Sequence, residues 1–280
     1  MPILKTLTKF IYIARPRFLS YLFGPFLVGY IAGAPSYLSV LNLEFFYSLF
    51  YFILPANVLL YGVNDIFDRA TDSLNVAKKG KYENLLRDDQ LKLYIYGVIA
   101  SLFLAVPLLF FLNTESQIIL GLFLLLSIFY SAPPLRFKAR PFFDFLSNVL
   151  YVLPGVLAYT HASSGNLPDT GIFIAAWAWA SAMHLFSAIP DIEADKKAGI
   201  MTSAVFLGFK KSLILCCVLW LVTTINMLSY SPFYILSVLY PAIVFGVYKD
   251  YLNIQKTYWS FPYINLGLGF ILFWYVVFSK

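Results

Sequence analysis

Long apolar runs, each broken by a short polar and basic stretch, follow one another along almost the whole chain. A helix needs about 20 residues to cross a hydrocarbon core about 30 Å thick. On that measure the pattern predicts nine spans, at 17–34, 44–64, 92–112, 117–132, 143–162, 171–190, 211–229, 232–248 and 261–279. The fourth is the shortest and runs into Pro133-Pro134. In lipid a helix satisfies its own backbone, so an all-α polytopic bundle is expected. Glycine and proline inside the runs (Gly24-Pro25, Pro55, Pro107, Pro154-Gly155, Pro190, Pro241) predict kinks and close-packing points. No stretch is left for a separate soluble domain, and residues 1–280 read as one integral-membrane domain.

Composition agrees, with 60% hydrophobic and 12% charged residues and a mean hydropathy of +0.76. Charge adds orientation. Of the 20 Lys and Arg residues, all but Lys280 fall before the first span, in the connections two–three, four–five, six–seven and eight–nine, or, for Arg17, Lys92 and Lys211, at the first residue of a span entered from that same side. The positive-inside rule then places the N-terminus and those connections in the cytoplasm and the C-terminus outside. The net charge of +6 is therefore a topology signal, and a nucleic-acid partner has no other support. The first span is too long for the apolar region of a cleavable signal peptide, so none is expected. Cys216 and Cys217 are adjacent within one span and point in different directions, which predicts packing rather than a metal or redox pair.

The candidate chemistry sits at two cytoplasmic span ends. Asn64-Asp65-Ile66-Phe67-Asp68-Arg69-Ala70-Thr71-Asp72 closes the second span and Asp191-Ile192-Glu193-Ala194-Asp195 the sixth. If the helices continue, Asp65, Asp68 and Asp72 stand at i, i+3 and i+7, and Asp191 and Asp195 at i and i+4, so each set shares a helical face. An even number of crossings separates the motifs, which lets the two faces meet. Carboxylates gathered this way repel and lose hydration unless cations sit between them, and hard oxygen ligands favour Mg²⁺. Mg²⁺ keeps positions open that phosphate oxygens fill. The expectation is a metal-bridged diphosphate site in a cavity opening at the cytoplasmic side. A solvated loop explains three carboxylates on an apolar helix poorly. For the second motif, pairing with Lys196 and Lys197 is the plain alternative, weakened by the matched position. Glu193 points away from the Asp191/Asp195 face.

Other residues fit this chemistry less sharply. Asn57 and Tyr61 lie deeper on the first motif's face, where lining a substrate cavity and interhelical hydrogen bonding both remain open. Tyr130-Ser131-Ala132-Pro133-Pro134-Leu135-Arg136-Phe137-Lys138 ends the fourth span with two cations that a leaving diphosphate needs, although anchoring at the membrane surface explains Arg136 and Lys138 as well. Arg15, Arg17 and the run Lys78 to Lys81 read as topology or headgroup contacts. His184 lies about two turns before Asp191, with Ser187 between; a packing role and a catalytic proton role are both open. His161, at the other end of its span, reads as a surface residue. Aromatic residues reach 19%, beyond what interfacial belts need, and rings facing the cavity would stabilise a carbocation.

At these residues the chain resembles the UbiA-type superfamily of intramembrane prenyltransferases over nearly its whole length. The shared features are the N-D-x-x-D-x-x-x-D motif after helix two, the Y-S-x-P-P-x-R-x-K stretch after helix four and the D-x-x-x-D motif after helix six. The resemblance implies that Asn64, Asp65, Asp68, Asp72, Asp191 and Asp195 bind Mg²⁺–diphosphate, and that Tyr130, Arg136 and Lys138 assist ionisation. Gly199, Thr202 and Gly208 match the family's pattern after the second motif. Two further stretches resemble the lycopene elongase branch of carotenoid biosynthesis: Arg15-Pro16-Arg17-Phe18-x-x-Tyr21-x-x-Gly24-Pro25-x-x-Val28-Gly29 and Met183-His184-x-Phe186-Ser187-Ala188-Ile189-Pro190-Asp191-Ile192-Glu193. A basic balance, with a pI of about 9.1, departs from salt-adapted archaeal members and points to a bacterial relative. The resemblance implies transfer from an allylic diphosphate, dimethylallyl diphosphate within that branch, to a lipophilic acceptor such as lycopene. Transfer to an aromatic acceptor in quinone synthesis is the same-class alternative. An ion-coupled transporter is the different-class one, although such sites lie near the membrane midplane and these aspartates lie at helix ends.

Overall fold

Helices form wherever the apolar runs predict them, and among the described residues there is no strand. The computed structural model describes residues 2–72, 86–248 and 251–279. The chain opens with α1 (Pro2–Ile13), a short 3₁₀ turn at Pro16–Phe18 and α2 (Ser20–Gly33). Next come α3 (Leu43–Ile53), α4 (Pro55–Asp72), α5 (Leu91–Phe103), α6 (Leu108–Phe111) and α7 (Thr114–Phe129). Then follow α8 (Phe143–Leu146), α9 (Leu153–Ala162), α10 (Thr170–Ala188), α11 (Ile192–Lys197) and α12 (Ser203–Leu207). The last three are α13 (Phe209–Leu228), α14 (Leu239–Val247) and α15 (Tyr251–Phe278).

Among the described residues, six helical segments are long and apolar enough to cross a membrane: Leu43–Arg69, Asp88–Phe111, Phe143–Ala162, Thr170–Ala188, Phe209–Leu228 and Asn253–Phe278. The other three of the nine expected spans fold as shorter helices. α2 has 14 residues and stops where Pro35 forces Ala34 into an extended conformation, at ψ 141°. α7 has 16 residues, and Pro232–Val247 begins as a 3₁₀ turn at its proline before α14.

The chain divides into two compact units, Met1–Leu135 with Leu153–Leu167 and Leu272–Lys280, and Arg136–Val152 with Pro168–Ile271. In the first, α2 crosses α9 at backbone contact. A Cβ on Gly29 would stand 2.1 Å from the Gly155 carbonyl oxygen, and one on Gly33 2.5 Å from that of Tyr159. This is the small-x-x-x-small packing that brings membrane helices together without a hydrophobic driving force. α4 packs against α1, α5 and α7 with Ala56 to Tyr61 wholly buried. At the break before Pro55, the Asn57 side-chain amide donates to the carbonyls of Phe52 at 2.9 Å and Ile53 at 3.0 Å. Asn57 thus secures the α3–α4 joint. Of its two open roles, hydrogen bonding at the joint is the one its amide nitrogen performs.

In the second unit α10 and α13 form the central pair around Trp220, whose ring stacks on Tyr240 at 5.3 Å and lies 6.0 Å from Phe186. Phe261 completes the cluster edge-on to Phe186 at 4.9 Å. Cys216 is buried there as a free thiol, and Cys217 is free and half-buried, as packing residues should be. Asp169 caps α10 through the Gly171 N–H at 2.7 Å. The Tyr230 hydroxyl donates to the same carboxylate and, with the Gly171 N–H, holds it below the usual carboxylate range.

Candidate active site

α4 continues unbroken through the first acidic motif, so Asp65 and Asp68 share one face as the spacing predicts. They are 1% and 4% exposed. Asp72 ends the helix, and its side chain lies outside the described residues. A carboxylate this deeply buried needs a countercharge, and Asp65 has one: Arg15 Nη2 stands 2.5 Å from Asp65 Oδ1. The same guanidinium lies 4.9 Å from the centre of the Tyr61 ring, a cation–π contact that fixes its plane. Arg15 takes a left-handed backbone, φ 52°, before the Pro16 turn, uncommon for a residue with a Cβ. The expectation that Arg15 serves topology or headgroups is corrected: it belongs to the acidic face. Its position just before a proline-led turn was the available signal.

Asn64 joins the network from the side. The Ser131 hydroxyl donates to Asn64 Oδ1 at 3.2 Å, and Asn64 Nδ2 stands 3.4 Å from Asp65 Oδ1. The Tyr130-Ser131 end of α7 is thereby tied to the first motif, with Tyr130 half-buried at the helix C-cap.

The second motif is built differently from the expected continuous helix. Pro190 has no N–H and its ring clashes with the carbonyl four residues back, so α10 stops at Ala188 and Asp191 becomes the N-cap of a new helix, α11. Asp195 N–H bonds to the Asp191 carbonyl at 2.8 Å, which preserves the one-turn spacing of the half-buried pair. The helix break removes the argument that His184 and Asp191 share a face. Glu193 is exposed and accepts from Lys196 at 3.2 Å, leaving the Asp191/Asp195 side to other partners. Thr202 Oγ1 lies 3.5 Å from Asp195 Oδ2 and caps α12 through Val205 N–H. Gly199 and Gly208 adopt φ of +69° and +75°, a conformation that glycine alone takes without strain, which accounts for glycine at both matched positions.

Arg136 and Lys138 lie half-buried in the same unit as this motif, around a 3₁₀ turn that starts from Arg136 in a left-handed conformation, φ 41°. His184 is half-buried within electrostatic reach of Asp144 and Lys138, and its carbonyl accepts from Ser187 at 2.7 Å. His161, expected at a surface, is 15% exposed and lies 3.5 Å from Glu44. Lys78 to Lys81 lie outside the described residues.

Among the described residues no three His, Cys, Asp or Glu side chains converge into a ready-made metal cage. The donor set still suits Mg²⁺. Each motif offers two described carboxylates, and this ion is typically held by one or two carboxylates plus substrate phosphates.

Comparison with known proteins gives the family and the fold. The model of the UbiA prenyltransferase family matches residues 22–277. The lycopene elongase/hydratase of Haloarcula japonica is 43% identical over 263 residues, covering 92% of this chain and 87% of that protein. The Halobacterium salinarum protein of the same name is 40% identical, over 92% of this chain and 93% of its own. A solved UbiA homolog from Archaeoglobus fulgidus bound to DMAPP and Mg²⁺ superposes with a TM-score of 0.69 at 22% identity, covering 95% and 99% of the two chains. Homologues come from halophilic archaea as well as from bacteria, so the expectation of a bacterial relative alone is not met.

Proposed function

Because the chain belongs to the UbiA prenyltransferase family, it is an integral-membrane prenyltransferase, and we propose that it carries a dimethylallyl group from its diphosphate to lycopene. The observation that supports this most strongly is the near full-length identity, 43% and 40%, to two proteins named lycopene elongase/hydratase. Asp65, Asp68 and Asp72 with Asp191 and Asp195 would hold Mg²⁺, which supplies charge neutralisation for the departing diphosphate. Asn64, Tyr130, Arg136 and Lys138 bind and polarise that diphosphate as its allylic C–O bond breaks. Such charge stabilisation at the leaving group carries most of the rate. Arg15 holds Asp65 in place.

The apolar bundle excludes water from the allylic cation, which the terminal double bond of the acceptor attacks to form the new C–C bond. The resulting tertiary cation loses a proton or captures water, and His184 handles that proton. Both motifs face the cytoplasm in this reading, with nine crossings and the C-terminus outside.

Expression in cells that accumulate lycopene, and separately in cells that accumulate an aromatic quinone precursor, tests the proposal by mass spectrometry. The expected product is lycopene enlarged by five-carbon units, with or without added water. Prenylation of the aromatic precursor alone transfers the assignment to quinone synthesis, and activity that survives chelation overturns the role of Mg²⁺.

A further inference from the structure

Asp144 is 0% exposed, and the reaction proposed above makes no use of it. Its carboxylate accepts from the backbone N–H of Ser203 at 2.7 Å, from the Ser203 hydroxyl, and from the N–H of Phe145 at 2.9 Å. Ser203 Oγ accepts in turn from Phe142 N–H at 2.5 Å. Two segments 59 residues apart in sequence are locked by these bonds.

Each segment leads back to a site residue through short turns. On one side Asp144 N–H bonds to the Arg140 carbonyl, Arg140 N–H to that of Phe137 and Ala139 N–H to that of Arg136, each at 3.0 Å. On the other, Ser203 follows Thr202, whose hydroxyl lies 3.5 Å from Asp195, and Ile200 N–H bonds to the Asp195 carbonyl at 2.9 Å. A continuous set of tight turns thus runs from Arg136 and Lys138 through the Asp144–Ser203 contact to Asp195. An apolar residue would fill this buried position at no electrostatic cost. What the carboxylate adds is direction, since it fixes two backbone segments at once.

We propose that Asp144 and Ser203 are a positioning pair, holding the cationic turn at Arg136–Lys138 in register with the Asp191/Asp195 motif so that both engage one diphosphate. This rests on the diphosphate-dependent reading above. Residues of this kind, which orient ligands without touching substrate, change affinity or activity by roughly ten- to a hundredfold when removed.

The test uses the full chain purified in detergent, titrated calorimetrically with inorganic diphosphate in the presence of Mg²⁺, with thermal midpoints measured on the same samples. Asp144→Asn and Ser203→Ala are each expected to weaken binding by roughly tenfold or more, and the double variant to be no weaker than Asp144→Asn alone. Variants that melt lower yet bind like the wild type overturn the proposal, as do losses that simply multiply in the double variant. Should Asp144→Asn fail to fold, Ser203→Ala decides alone, because it keeps the backbone N–H to Asp144 and removes only the bridging hydroxyl. A wild-type chain that binds no diphosphate sinks the diphosphate reading itself, whatever the variants do.

Discussion

Arg15 shows where residue-level reading reaches its limit. Spacing along α4 puts Asp65 and Asp68 on one face, and that much is legible from the sequence because i, i+3 is a property of any helix. That the face is buried and already neutralised from outside the motif depends on a side chain 50 residues away, which no local period encodes. Arg15→Ala removes the guanidinium from over the Tyr61 ring and takes this countercharge from a carboxylate that is 1% exposed. Breaking a buried pair from one side costs about 3–5 kcal/mol, and the 21% exposure of Arg15 puts the loss at or below the lower figure. The purified variant should melt well below the wild type and lose at least tenfold in turnover. Arg15→Lys keeps the charge without the planar fork and should fall between. An Arg15→Ala protein with wild-type melting and turnover would return Arg15 to the membrane surface. Asp191→Ala, by contrast, should insert normally and lose turnover by at least about a hundredfold, the scale on which transition-state charge stabilisation is lost. Asp65→Ala should lose as much turnover and also melt lower, because it breaks the Arg15 pair from the other side.

Elements were legible where apolar length and proline agree. α10 and α13 lie close to their expected bounds, whereas the span expected at 44–64 is divided before Pro55 into α3 and α4, and α11 does not extend α10, because Pro190 ends one helix and lets Asp191 start the next. The sequence showed the proline but not whether the helix would bend or stop, a choice made by the carbonyls that neighbouring groups can satisfy. The glycines carry a similar ambiguity. Gly24 and Gly29 look alike along α2, yet a Cβ on Gly24 meets nothing within 4 Å while one on Gly29 runs into the Gly155 carbonyl at 2.1 Å. Gly29→Ala must push α2 off α9 and should destabilise the protein by about 1–3 kcal/mol or more, as overpacking of tight interiors does. Gly24→Ala should leave it unchanged or slightly firmer, since alanine is the better helix former. Thermal unfolding in detergent compares the two, and equal midpoints would mean that the α2–α9 crossing is not held at backbone contact.

At the scale of the molecule, the number of crossings decides whether the two acidic motifs can serve one reaction. Among the described residues six helical segments are long enough to span on their own, and α2, α7 and Pro232–Val247 are shorter. Between Asp65 and Asp191 the chain passes through Asp88–Phe111, α7, Phe143–Ala162 and α10. If all four cross, the motifs return to the same side. If α7 does not, three crossings leave them on opposite sides, and a shared diphosphate becomes impossible. Its 16 residues cover about 24 Å at 1.5 Å each, short of a hydrocarbon core about 30 Å thick but within the range that local thinning and tilted neighbours accommodate. The basic residues after each motif favour the crossing, because they fall on one side only when α7 is counted. Cysteines placed at Arg87 and Lys197, both exposed, report on the connections that follow the two motifs. With Cys216 and Cys217 replaced by alanine, neither new cysteine should react with an impermeant thiol reagent in intact cells, and both should react once the membrane is opened. Labelling of one but not the other from outside would leave α7 on one face of the bilayer, and the two aspartate motifs would then need separate explanations.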